Sequence, residues 1–309
     1  MKLEKTLSKL FISMFIFTFI LSFNVKAEDI SDQLAACTTA LKQADLVKAI
    51  SISENILKIG ANNRDGLLCK GRALGAQGNY KEALSALELG ANQSKEPFEQ
   101  IISQLLIGNL HKENKQYAAA IASYNKSLAL CLEQKNQKFA HINYNLIGES
   151  YTQNGDLNAA LASYKTGEKQ AMNDNERADS QERLANTYSA LGQHDSAIEF
   201  QVKAILMQKK SGTLDQYANA CLEMGRIYIA AKEYQNAEKT YIKLVQFSQE
   251  NGGAYYEVKA NIGLAQTKLI LGDTATAKNL LLASQKTAKN IGADDLSAEI
   301  NTSLAKLSK

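Results

Sequence analysis

The 309-residue sequence contains no tryptophan and a single proline, Pro97. Proline is the commonest breaker of helices, so one in a chain this long excludes a loop-rich fold and points to helix nearly throughout. Histidine and cysteine are scarce as well, three and four respectively. No histidine stands beside a cysteine or carboxylate at metal-ligand spacing. No Walker motif, nucleophile elbow or Gly-rich dinucleotide loop occurs. The expectation is therefore a non-enzymatic protein without metal, cofactor or small-molecule substrate.

An excess of one charge is also missing. The chain has 35 Lys and Arg against 32 Asp and Glu. The first 27 residues hold four of those lysines and one glutamate, so the remainder carries 31 of each. The pI near 8.4 is thus no nucleic-acid signal. With 45% hydrophobic and 22% charged residues, the composition is that of a folded soluble chain.

Long apolar runs are absent but for one. "LFISMFIFTFILSF", residues 10 to 23, follows Lys2, Lys5 and Lys9 and precedes "VKA" at 25 to 27. Fourteen residues fall short of a membrane span, which needs roughly 18 or more. A basic start, a short apolar run and small residues at a cleavage site make a secretory signal peptide. Five of the nine Phe and none of the 13 Tyr lie in this leader. Cleavage after Ala27 is expected, with an uncleaved anchor as the alternative and the only membrane contact foreseen. The destination expected is the bacterial periplasm or the outside.

What is present is a repeat. "GNYKEALSALELGA" from Gly78 recurs as "KQYAAAIASYNKSL" from Lys115 and "GDLNAALASYKTGE" from Gly155. It recurs again from Gly192, Lys232 and Gly272, and more weakly from Ala44. The central alanines are Ala49, Ala83, Ala120, Ala160, Ala197, Ala237 and Ala277, spaced 34 to 40 apart. Twelve residues before the last six stand Gly71, Gly108, Gly148, Ala185, Gly225 and Ala265. Apolar positions recur at three and four, the helical period. Each unit is thus two helices joined by a tight turn, with small residues admitting close approach.

The pattern resembles tetratricopeptide repeats. In the fullest copy Tyr144, Ile147, Gly148, Tyr151, Ala160 and Tyr164 fall on signature positions. The 37- and 40-residue units are similar to the longer variants of kinesin light chains. The usual repeat-end proline is missing. The resemblance implies an all-α, right-handed α-solenoid of about seven helix-turn-helix repeats plus a C-terminal closing helix. The domains expected are a leader at 1–27, the solenoid at 28–293 and the closing helix at 294–309.

The resemblance further implies a concave groove lined by the first helix of each pair, binding a protein or peptide. Its groove positions fall on Arg72; Asn109 and Lys112; Asn145, Glu149 and Thr152; Glu182, Asn186 and Ser189; Arg226; and Gln266. Asparagines carry donors and an acceptor, so Asn109, Asn145 and Asn186 suit an extended peptide backbone. Arg72 and Arg226 suit carboxylates. The bland alternative makes all of these ordinary polar residues on helix faces. The rival to peptide capture is a structural or sensory envelope component acting through self-association. The two-lysine carboxylate clamp of chaperone-binding members is not apparent.

An exported compartment permits disulfides. Cys37 and Cys69 lie on the first helices of adjacent repeats, near bridging range if the helices face each other. But Cys37 holds the small position turned toward its own partner helix, so bridge and buried thiol both stay open. Cys131 and Cys221 have no evident mate. His111 replaces a signature tyrosine and reads as packing, while His141 falls near the start of a first helix and His194 at a turn.

Overall fold

The computed structural model describes residues 30–307, so the leader expected at 1–27 lies outside the described residues. Within them every regular element is an α-helix, and the helices fall into two compact units. The first unit holds α1 (30–42), α2 (Leu46–Ile59), α3 (Arg64–Ala76), α4 (Tyr80–Asn92), α5 (Pro97–Glu113) and α6 (Tyr117–Glu133). The second holds α7 (Gln137–Gln153), α8 (Leu157–Glu168), α9 (Asp174–Ala190), α10 (His194–Ser211) and α11 (Leu214–Ala230). It continues through α12 (Tyr234–Glu250), α13 (Ala254–Ile270), α14 (Thr274–Asn290) and the closing helix α15 (Asp294–Leu307). Odd-numbered helices from α1 to α13 are the first members of the seven pairs.

The caps explain the boundaries. Asp45, Asn63, Asn136, Asp156, Asn173 and Asp273 each accept from a backbone N–H of the first turn that follows. Pro97 occupies the first turn of α5, where its missing N–H costs nothing, behind a Glu96–Glu99 capping box. The lone proline therefore starts a helix and breaks none.

The turn inside each pair needs one left-handed residue. Gly155 supplies it at φ 84°, after which Asp156 N–H reaches back to Tyr151 O at 2.9 Å. Two repeats place a lysine there, Lys115 at φ 59° and Lys232 at φ 62°.

All seven central alanines are fully buried, at 0% exposure. Sixteen residues after the small position of the first helix stands a large buried side chain of the second. Tyr124, Tyr164 and Tyr241 lie so close over Gly108, Gly148 and Gly225 that a Cβ on any of these glycines would overlap the ring. Leu87 covers Gly71 in the same way. Burying such a side chain stabilises by about 1.5–3 kcal/mol, and each pair relies on its neighbours for much of that burial. The fifth pair departs: Gln201 stands in the ring's place, fully buried, with Nε2 donating to Ala220 O at 2.8 Å and Oε1 unpartnered.

Cys37 and Cys69 form a disulfide between α1 and α3, with Cα atoms 6.6 Å apart. Cys131 and Cys221 are buried, and burial pushes the Cys221 thiol up to about 11.

Candidate functional site

The first helices of the second unit carry a continuous polar network. On α7, His141 and Asn145 sit one turn apart, exposed by only 5% and 6%. His141 Nδ1 contacts the Gly167 carbonyl at 2.9 Å. A carbonyl only accepts, so the ring proton is on Nδ1, and Nε2 accepts from Asn145 Nδ2 at 3.1 Å. The same amide donates to Asp179 of α9 at 3.3 Å. Asp179 also receives Arg183 Nε at 2.8 Å, and a second Arg183 nitrogen pairs with Glu149 of α7. Arg183 further lies 5.9 Å from the Tyr164 ring centre. His141, Asn145, Glu149, Asp179 and Arg183 line, with Lys138, a cleft of about 390 Å³ between α7 and α9.

The neighbouring stretch is acidic. Glu182 of α9 is half-buried, and burial followed by the Asp179 carboxylate raises it to about 7. A Gln208 hydrogen bond offsets part of this, while Glu223 of α11 adds to the repulsion. Glu223 is itself paired with Arg226.

In the first unit, Tyr124 donates its hydroxyl to Asn109 Oδ1 at 2.7 Å. Tyr80 donates to Gln116 at 2.6 Å and meets His111 Nδ1 at 2.8 Å. Desolvation holds His111 below its ordinary value, as suits a packing residue. Arg72 is exposed at the edge of a cleft of about 300 Å³ floored by Gly71, Gly75 and Leu87.

The structure separates residues that the sequence placed together. Thr152, Asn186, Arg226 and Gln266 are exposed, and Lys112, Glu149, Glu182 and Ser189 are half-buried. Asn145 is buried against Gly167 of α8, with its amide held by His141 and Asp179. Asn109 is half-buried and its acceptor is occupied by Tyr124. The three asparagines therefore form no uniform ladder. His141, Asp179 and Arg183 were not singled out from the sequence. Their signal was there: Asn145 to Asp179 and Glu149 to Arg183 are both steps of 34, about one repeat.

The family model for the tetratricopeptide repeat matches residues 102–133, 143–169, 178–211 and 218–251. The repeats within these four segments are tetratricopeptide repeats. No curated protein matches the chain. Among solved structures, the chain is similar to a STAND signal-transduction ATPase with a tetratricopeptide-repeat sensor from Pyrococcus horikoshii. That likeness has TM-score 0.68 and 15% identity, covering 87% of this chain and 44% of the other. The chain thus spans less than half the length of that protein. Kinesin-light-chain TPR-like repeats from Podosopora anserina align at TM-score 0.55 and 18% identity, over 65% of this chain and 99% of theirs. The apo form of RapI aligns at TM-score 0.60 and 16% identity, over 88% and 79%. These likenesses show the fold.

Proposed function

We propose that the protein is a non-enzymatic scaffold that captures a peptide or helix on the first-helix face of its second unit. One observation carries this reading. Asp179, Glu182 and Glu223 approach one another on α9 and α11 beside an open cleft, and Glu182 is driven up to about 7 by burial and like charge. A lysine or arginine from a partner relieves that repulsion, so the face suits a basic segment. Asn186 and Gln266, exposed on the same helix series, supply amides for its backbone.

We further propose that the chain is exported. The leader at residues 1–27 and the Cys37–Cys69 bridge both fit an oxidising compartment. N-terminal sequencing of the cellular protein should begin at Glu28; retention of Met1 on a cytosolic protein refutes export.

A photo-crosslinking residue at Asn186 tests the capture. It should yield a polypeptide adduct in intact cells, weakened by Glu182→Lys and Glu223→Lys together. If Asn186 gives no adduct, or the adduct survives both reversals, the groove reading fails.

A further inference from the structure

The second helices of the second unit present a face that the capture reading does not use. α10, α12 and α14 bury one register against the first helices: Ala197 and Gln201, Ala237 and Tyr241, Ala277 and Leu281. The opposite side faces solvent. Along it Val202, Ile242 and Leu282 recur every 40 residues, exposed by 40%, 47% and 46%, and Leu206 adds 62%. An apolar side chain is thus held out at the same place on three successive second helices.

Around these residues the charge is one-sided. The exposed positions of the three helices hold eight lysines and three acids. Of the lysines, Lys203 pairs with Glu199 and Lys210 with Asp174. Lys209, Lys239, Lys243, Lys278, Lys286 and Lys289 make no ion pair with the described residues. The first unit provides the comparison. On its second helices α2, α4 and α6, the exposed positions carry four lysines (48, 58, 81, 126) and four glutamates (54, 82, 88, 133). Equal charge over residues 28–309 conceals this local excess.

We infer that this outer face of α10, α12 and α14 docks on an anionic lipid surface. Lysine stems lie along apolar ground while their ammonium groups reach the headgroups, and the Val, Ile and Leu side chains enter the interface. The charges favour lipid over an acidic protein. All are lysines, point charges suited to a diffuse field, and none is the arginine fork that fits a defined carboxylate. They spread over three helices and line none of the clefts described above. The sequence reading allowed membrane contact only through the leader. This face supplies a second contact and leaves the first helices open to a partner.

The absence of tryptophan provides the test. In the full chain, Ile242→Trp is the only indole and reports on this face whatever the leader does. Its emission should shift to the blue on vesicles containing phosphatidylglycerol and not on pure phosphatidylcholine. The shift should vanish in about 0.5 M salt, where charges are screened within a few ångströms. Adding Lys239→Glu, Lys243→Glu and Lys286→Glu should weaken partitioning by at least about 100-fold. Lys48→Glu, Lys58→Glu and Lys126→Glu in the first unit should leave it unchanged. The inference is overturned by no shift on either vesicle, by equal shifts on both, or by a shift that survives salt. Salt-sensitive binding to polyglutamate with no vesicle shift assigns the face to an acidic protein and overturns it equally. If the triple reversal does not fold, the lipid and salt dependence of the indole still decides.

Discussion

Tyr164 occupies the space that a side chain on Gly148 would fill, so the two residues act as one packing element between α7 and α8. Alanine is ordinarily a better helix former than glycine by about 1 kcal/mol. Here the added methyl meets a ring that is only 4% exposed and has nowhere to retreat. Gly148→Ala should therefore destabilise the protein by about 1–3 kcal/mol, read from the urea midpoint. A neutral or stabilising result means that the ring and glycine are not in contact.

Lys115 and Lys232 adopt the left-handed backbone that glycine takes at Gly155. A residue with a Cβ is strained there by about 1–2 kcal/mol, partly offset by glycine's greater freedom when unfolded. Lys232→Gly should raise stability by about 0.5–1 kcal/mol, while Gly155→Lys should lower it by a similar amount. Thermal melts of the two variants must move in opposite directions.

Gln201 buries an amide where its counterparts in five other repeats are tyrosine or leucine. Its Oε1 has no partner among the described residues, and an unsatisfied buried acceptor costs about 1–3 kcal/mol. Gln201→Leu reproduces the side chains of Leu87 and Leu281 and should stabilise by about 1–2 kcal/mol. Loss of stability on this change assigns Gln201 to specifying how α10 meets α11.

Glu182 gives stability a pH dependence of known sign. Its folded value, near 7, lies above the ordinary 4.5, so the native state binds the proton more tightly than the unfolded chain. That contribution is complete below about pH 4.5 and is lost as pH rises toward and through 7. Because the group is partly exposed, screening reduces the effect to about 1–2 kcal/mol. Glu182→Gln should raise stability at pH 8 by that amount and flatten the slope between pH 5 and 7.5. Urea midpoints at several pH values check both.

Much of the fold was legible in the sequence because repeat packing uses residue types that have no substitute. An alanine with 0% exposure at Ala160, or a glycine under a ring at Gly148, leaves an unmistakable spacing. The polar face was less legible. Asn145 and Asn186 occupy equivalent positions, yet one is buried and the other exposed. The difference arises from partners on other helices, Gly167 of α8 and Asp179 of α9 against Asn145, which no single helix encodes. The pairing of Arg183 with Glu149 is likewise a contact between repeats. The charge of the outer face was hidden for another reason: composition adds up residues that the fold holds apart.

The Cys37–Cys69 bridge has a kinetic meaning. In an array of helix pairs the end members have a neighbour on one side only and are the first to fray. Here the pair at the amino end is tied to its neighbour across 32 residues, while no described disulfide holds the α13–α14–α15 end. Detaching α1 and α2 from α3 therefore meets a covalent tie as well as packing, and reduction leaves packing alone.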